Sequence, residues 1–439
     1  MEADVVVVGA GAAGLAAARR LAALSRRVVV VEARNRVGGR VLSHCFPGLR
    51  EPADLGAEFI HGPGAETVTL LRESGSIAVE TGGDAWICAA DGELQRDDRD
   101  FDEAARALGA AHSLGHDESA ERFLQRLESD ERTGRAARSA RFFVEGFEAA
   151  DPTRASVKSI ADELRSGVDA RSARPLGGYW PMFEHLRDAC LAAGAELRMS
   201  TIVRKVSWRP GDVELETIER GRSQRIVARA AVMTVPIGVL HQHGDEGAIS
   251  FEPDLPSIKR DALAHIEMGQ AVKVVLRFRK PFWEEINRGR YRDAAFFRCW
   301  AQPFAGYWTQ FPTRSTLITA WAGGPKALAL AGASQAEVVE LALNGFGALF
   351  GDQKLVCGEI EDTAMHDWHG DPFARGAYSY VTVGGGHARM QLAAPVANTL
   401  FFAGEATSTD GQGGTVNGAL QTGERAAMEV AAVLGARES

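Results

Sequence analysis

The sequence predicts an α/β chain in which a doubly wound, parallel-sheet domain is interleaved with an α+β domain built on a mixed sheet. Three observations predict it. Asp4-Val-Val-Val-Val8 is a continuous apolar run, the mark of a strand buried on both faces. It leads directly into Gly9-Ala-Gly11-Ala-Ala-Gly14, an Ala/Leu-rich helical stretch to Leu24, and a second buried run, Val28–Val31, that ends on Glu32. That succession is a βαβ unit of ordinary length. Finally, 439 residues with 45% hydrophobic content exceed one ordinary core and suit two domains, one interrupting the other.

The remaining elements follow in order. From about residue 65 to 190 the chain turns helical and charged, most clearly between Phe101 and Arg138, where a solvated helical face is expected. Gly177-Gly178 introduces a helix through Leu191. Strands are predicted near residues 196–199, 203–208, 213–217 and 229–235, the last closed by Pro236. Two more fall at 273–278 and 316–321. A last core strand at 398–403 precedes a Gly-rich loop and a helix over 418–434. The first domain is therefore assigned residues 1–70, 185–240 and 381–439, and the second 71–184 and 241–380.

Composition removes several classes of function. A net charge of −9 argues against nucleic acid as a partner, because phosphate binding needs a basic face. Five scattered cysteines (Cys45, Cys88, Cys190, Cys299, Cys357) show neither CxxC nor metal-ligand spacing, so no metal site and no disulfide framework are expected. A reducing compartment, the cytoplasm, fits them. No run approaches the ~18 apolar residues of a membrane span, and neither a leader peptide nor a tail anchor is expected. A monomer or homodimer is expected.

The glycines divide the labour of a Rossmann-type phosphate turn. Gly9 allows the tight turn, Gly11 admits a pyrophosphate close to the backbone, and Gly14 lets helix and strand pack closely. The phosphates would then face the positive end of the helix. Glu32 stands 18 residues beyond Gly14, placed for a ribose diol. NAD and FAD share this fingerprint, so the distinction must come from elsewhere.

It comes from two further motifs. Glu32-Ala-Arg-Asn-Arg-Val-Gly-Gly-Arg40 and, at the far end, Phe402-Ala-Gly-Glu405-Ala-Thr with Gly414-Thr-Val-Asn-Gly-Ala-Leu420 resemble the opening and closing motifs of flavin-containing amine oxidases, in the branch of polyamine oxidases and lysine-specific demethylases. The resemblance covers nearly the whole chain. It implies an FAD-binding domain of the glutathione-reductase/p-hydroxybenzoate-hydroxylase kind, with Arg40 near the diphosphate and Glu405 near the ribityl–phosphate region. Ile202-Val203 and Thr234-Val-Pro236 match weaker family positions, Val203 by the adenine. The residues expected to hold the cofactor are Gly9, Gly11, Ala13, Gly14, Glu32, Ala33, Arg34, Gly38, Gly39, Arg40, Gly56, Ala57, Glu58, Val203, Trp368, Gly404, Glu405, Thr415 and Val416.

The same resemblance suggests the chemistry. Met268-Gly-Gln-Ala-Val-Lys273 looks like the segment whose lysine holds a water against flavin N5, and Lys273 is assigned that role. Trp368-His-Gly-Asp-Pro-Phe-Ala-Arg-Gly-Ala377-Tyr378 looks like the segment lining the substrate face. Monoamine oxidases carry a flavin-linked cysteine where this chain has Ala377, so FAD is expected to bind non-covalently. Tyr378 would be one wall of an aromatic cage. The opposite wall, near Thr415, lacks its aromatic, as in the lysine-specific demethylases. Asp54-Leu-Gly56-Ala-Glu58-Phe-Ile-His61 is similar to a polyamine oxidase pattern, in which Glu58 or His61 would hold an ammonium or take its proton. The expected catalytic set is Lys273, Tyr378, His61 and Thr415. Trp86, Tyr179, Trp180 and Trp321 are expected mainly as core.

The reading is an FAD-dependent oxidase of primary or secondary amines, polyamine- or monoamine-like, with a small-molecule amine and O2 as partners and H2O2 as product. Related amino-acid oxidases carry Met-Arg where this chain has Glu58-Phe59, which counts against an α-amino acid substrate. Carotenoid- or protoporphyrinogen-type dehydrogenases share the first motif but generally not Lys273 or the Arg-Gly-Ala-Tyr segment. A flavin kept without catalysis would leave the polar residues at 58, 61, 273 and 378 without a reason to converge.

Overall fold

The computed structural model describes residues 3–89, 92–97, 99–129, 133–165 and 172–436, so the polar tail at 437–439 lies outside the described residues. The valine runs form the centre of an eight-stranded sheet. Glu196–Arg198, Val28–Val31, Ala3–Val8, the last residues of Arg222–Met233, and Leu400–Phe402 run parallel. The long strand Arg222–Met233 then turns antiparallel with Asp212–Glu219, and that in turn with Thr201–Arg209. Beyond it lies Ser250–Glu252. This last strand falls in 241–380, the segment expected for the second domain. Its place in the first sheet, where the Trp208 indole donates to the Pro253 carbonyl at 2.8 Å, corrects that boundary.

Helices Ala12–Ala23 and Val416–Ala436 pack together on one face of this sheet. Small residues make that approach possible: a Cβ on Gly423 would stand 2.2 Å from the Ala13 carbonyl oxygen. The N- and C-terminal motifs are brought together by this packing and by Leu400–Phe402 pairing beside Ala3–Val8's own neighbour.

A second, seven-stranded sheet runs in the order Ile360–Met365, Ala271–Phe278, Leu317–Gly323, Gly306–Trp308, Ala294–Arg298, Asp84–Cys88, Leu94–Arg96. Its aromatic core gathers Phe278, Phe282, Trp283, Phe297 and Phe346. The helical block from Asp100 to Phe142 is more than the solvated face expected. Ala104, Leu108, Leu124 and Ala140 build a separate core that also takes in Tyr380. Its last helix passes into a π-helical turn, Phe143–Phe147. That wider turn changes the carbonyl pattern, and two cavity residues take up the oxygens: Trp321 Nε1 donates to Gly146 (2.8 Å) and Tyr378 Oη to Phe147 (2.5 Å).

Candidate active site

The strand Ala3–Val8 delivers the chain into Gly9, at φ +107°, where a Cβ would stand 2.7 Å from Thr234 Oγ1. Gly14 is closed more tightly still, since its Cβ would meet the Gly9 carbonyl oxygen at 1.9 Å. No side chain caps the N-terminus of helix Ala12–Ala23, whose N-cap is Gly11. Its first N–H groups are therefore open to an anion. Glu32, at the end of the second strand, accepts from the N–H groups of Ala10 and Arg34, both at 2.8 Å. The Arg34 guanidinium pairs with Asp371 at 2.7 Å and lies over the Phe373 ring.

The two terminal motifs touch. Arg40 donates from one guanidinium nitrogen to Glu405 Oε1 and to the Ala377 carbonyl, each at 2.8 Å. The other Glu405 oxygen accepts from Ser379 Oγ (2.6 Å) and the Gly414 N–H (3.0 Å). Burial works against the Glu405 charge, but Arg40 and Arg389 outweigh it and hold the carboxyl below its ordinary value. Thr415 departs from its expected catalytic role. Its hydroxyl donates to the Gln412 carbonyl (2.8 Å) and accepts the Gly418 N–H (2.9 Å), so it caps the helix that begins at Val416.

Lys273 lies on the strand Ala271–Phe278 with its side chain 3% exposed. Its Nζ is 2.6 Å from Glu58 Oε2 and donates to the Gly56 carbonyl at 3.2 Å. Glu58 was expected to hold the cofactor or a substrate ammonium. Instead its oxygens are already engaged by Lys273, Arg174 Nε (2.8 Å), Trp308 Nε1 (3.0 and 3.1 Å) and Gln310 Nε2 (3.4 Å). Burial pushes the Glu58 carboxyl up, but the charges of Lys273 and Arg174 overcome this and leave it below the ordinary value. The carboxylate is thus the buried counter-ion of Lys273, with more donors than a single pair supplies.

His61 is half-buried against Phe59 and Phe147, and its buried Nδ1 has no hydrogen-bond partner among the described residues. Burial lowers its pKa to about 4, so the ring is neutral at physiological pH. The Tyr378 phenol, anchored on Phe147, is pushed up by burial and then by the nearby Glu148 and Glu405. Trp368 donates its indole N–H to the Leu55 carbonyl at 2.9 Å.

One cavity of about 600 Å³ runs past all of these groups. Every residue expected in the cofactor or catalytic sets lines it except Gly14, which packs behind the turn. At one end are the glycine turns Gly9–Gly11 and Gly38–Gly39 with Ala13, Glu32, Ala33, Arg34 and Val203; along the middle lie Arg40, Gly56, Ala57, Lys273, Gly404, Glu405 and Val416. The first end offers backbone donors for a diphosphate and a carboxylate for a diol. None of the five cysteines lines the cavity.

The other end is aromatic, and the sequence reading missed most of it. Phe59 stands 5.5 Å from Trp308, and Trp308 5.8 Å from Trp321, ring centre to ring centre. Trp321, expected as core, is a cavity wall, whereas Trp86 packs on Tyr291 in the core as expected. Two further carboxyls line this end, Glu148 and Glu163. Glu163 pairs with Arg389 at 3.2 Å. The Glu148 carboxyl makes no hydrogen bond or ion pair among the described residues; burial, with the like charge of Glu163, pushes it up to about 8.

Comparison with known proteins identifies the family. The family model described as flavin containing amine oxidoreductase matches residues 12–431. Polyamine oxidase 2 of Arabidopsis thaliana is 31% identical, over 97% of this chain and 87% of its own length. A lysine-specific histone demethylase 1 homolog 2 of Oryza sativa subsp. japonica is 28% identical over 98% of this chain, which spans 57% of that relative. Among solved structures, a putrescine oxidase bound to putrescine superposes with a TM-score of 0.81 at 22% identity, covering 98% of this chain and 99% of that one. The cyclohexylamine oxidase of Brevibacterium oxydans IH-35A gives 0.80 at 23% identity over the full length of both. The chain belongs to the flavin-containing amine oxidoreductase family and is an FAD-dependent amine oxidase.

Proposed function

We propose that the chain oxidises primary or secondary amines of polyamine- or monoamine-like form, using non-covalent FAD and O2, and releases an imine that water hydrolyses, together with H2O2. The single observation that carries this reading is Lys273: a buried cation, held by Glu58, on the wall of the cavity that also contains the glycine cradle. When bound, the flavin supplies the two-electron chemistry, accepting hydride from the amine α-carbon.

The chain's own residues do the rest. Backbone N–H groups after Gly9 and Gly11 hold the diphosphate and Glu32 accepts from the ribose diol. Ala33, Arg34 and Val203 would hold the adenosine, and Trp368, Gly56 and Ala57 would hold the ring system. Arg40, neutralised on one side by Glu405, presents its remaining donors to the phosphates. The Lys273 ammonium orients a water in the cavity. Tyr378, Trp308, Trp321 and Phe59 exclude solvent from the amine carbon and favour a cation near their faces. The substrate must react as the free amine, and the neutral His61 ring, with its unpartnered Nδ1, accepts a hydrogen bond from its N–H; held near 4 by burial, the ring is too weak a base to take an ammonium proton. Glu148 faces the same space and suits a second ammonium on a longer substrate. The five free cysteines support a reducing compartment, the cytoplasm. No helix among the described residues is long and apolar enough to cross a membrane.

The test is anaerobic. A mono-, a di- and a polyamine are each mixed with the purified yellow protein and the 450-nm region is followed. Bleaching by at least one, with peroxide detected when air is readmitted, is the expected result. Bleaching by α-amino acids in preference to the matching amines would replace the proposal with an amino-acid oxidase.

A further inference from the structure

A second cavity of about 360 Å³ reaches Glu58, the partner of Lys273. Glu58 and Thr81 line both this cavity and the larger one, so the Lys273–Glu58 pair stands at the partition. The rim of the second cavity carries the exposed residues Glu51, Leu176, Pro312 and Arg314. Its floor carries two buried carboxyls, Asp54 and Glu58.

Asp54 is built into place. Ser43 Oγ donates to it at 2.5 Å, and the Tyr179 backbone N–H donates as well. Gly178, at φ +75°, leaves the room: a Cβ there would stand 3.0 Å from Asp54 Oδ1. The charged and titratable groups that face Asp54 are Lys273, Glu58, Arg174 and the Tyr179 phenol. Burial raises its pKa to about 6 despite Ser43 and Lys273, and the Glu58 charge adds to the rise. A carboxyl in this state exchanges protons readily near neutral pH, and it lines a cavity with an exposed rim while lying near enough to Lys273 and Glu58 to feel their charges.

We propose that the second cavity is a proton entrance, through which Asp54 recharges the Lys273–Glu58 pair from solvent without using the substrate side. The proposal rests on the oxidase reading above. Reduction of O2 to H2O2 needs two electrons and two hydrogens. Both electrons and one hydrogen derive from the hydride taken from the amine, so one proton must still be delivered. Lys273 gives up an N–H proton to the oxygen side and regains one through the Glu58 carboxylate. Asp54 replaces it by losing its O–H proton, and solvent in the second cavity reprotonates Asp54. Each residue ends as it began, and Asp54 acts as a positioning and relay residue, not a catalytic one.

The test uses holoenzyme reduced by light, so that no amine is required, and mixed with oxygenated buffer. Wild-type reoxidation should slow as pH rises through about 6, the range in which Asp54 loses its proton. Asp54→Asn should reoxidise at least tenfold more slowly and without that pH step, and Asp54→Glu should restore it. Leu176→Trp, which plugs an exposed rim, should slow reoxidation while keeping the step. Apart from turnover, the thiol in Asp54→Cys should react with a small methanethiosulfonate reagent in resting protein, and the added Leu176→Trp change should protect it. A wild-type rate and pH profile in Asp54→Asn, or an inert thiol in Asp54→Cys, would overturn the proposal. Failure of every amine to bleach the protein would sink the oxidase reading alone, because the photoreduced arm contains no amine.

Discussion

Glu148 provides the sharpest quantitative expectation about substrate choice. Without ligand its carboxyl is neutral at pH 7, because burial and Glu163 push it up to about 8. A substrate with a second ammonium at this end of the cavity would draw it into the charged form. A charge-assisted hydrogen bond of this kind contributes about 1.5–3 kcal/mol, or roughly ten- to 150-fold in affinity. At pH 7 that gain is reduced by the cost of deprotonating a group one unit below its pKa, about 1.4 kcal/mol. At pH 9 the cost is gone, while an alkylammonium near 10.4 is still charged. The preference for a diamine over a monoamine of equal length should therefore rise about tenfold between pH 7 and pH 9. The reacting nitrogen must lose its proton in both substrates, so that requirement cancels in the ratio. Anaerobic titration of flavin bleaching with both amines, at three pH values, reads the effect directly. Glu148→Gln fixes the neutral form and should give a ratio independent of pH. A flat ratio in the wild type, or an unchanged slope in Glu148→Gln, would refute the assignment of Glu148 to the second ammonium.

Other expectations are simpler. Lys273→Met should slow flavin reduction or reoxidation at least tenfold in stopped-flow traces, and unchanged rates would remove Lys273 from the mechanism. Glu58→Gln leaves Lys273 and Arg174 buried without their shared counter-ion, and should destabilise the fold by about 3–5 kcal/mol in urea unfolding; a change below 1 kcal/mol would mean that the network relaxes around the loss. Arg40→Met removes the contact between the two terminal motifs, so FAD should bind the apoprotein at least tenfold more weakly by fluorescence titration. Because burial holds His61 near 4, the pH profile of amine reduction should show no step near 6.5 that is abolished by His61→Gln.

How much of this was legible in the sequence follows from the range of each interaction. The valine strands, the glycine turn and Glu32 are settled within about thirty residues, and local pattern sufficed for them. Thr415 also carried a local signal that favoured a different role: a threonine directly before a helical run is a capping residue first, and its hydroxyl is committed to Gln412 and Gly418. Likewise, the apolar spacing of Ala104, Leu108 and Ala111 within a charged stretch already encoded a buried helical face.

The site behind Lys273 was not legible, for a physical reason. Glu58 gathers donors from Arg174, Lys273, Trp308 and Gln310, which lie 116 to 252 residues away in sequence on different strands and loops. No pattern within one segment reports such a convergence, and the sequence offers each donor an ordinary place on a strand. The consequence for function is specific. Read alone, Glu58 looked available to a substrate ammonium; read with its donors, it is the anchor of the buried Lys273 cation on the cavity wall. Under the proposed function, a second ammonium would fall to a carboxyl without such partners among the described residues: Glu148, presented just beyond the π-helical turn that Tyr378 and Trp321 hold in shape.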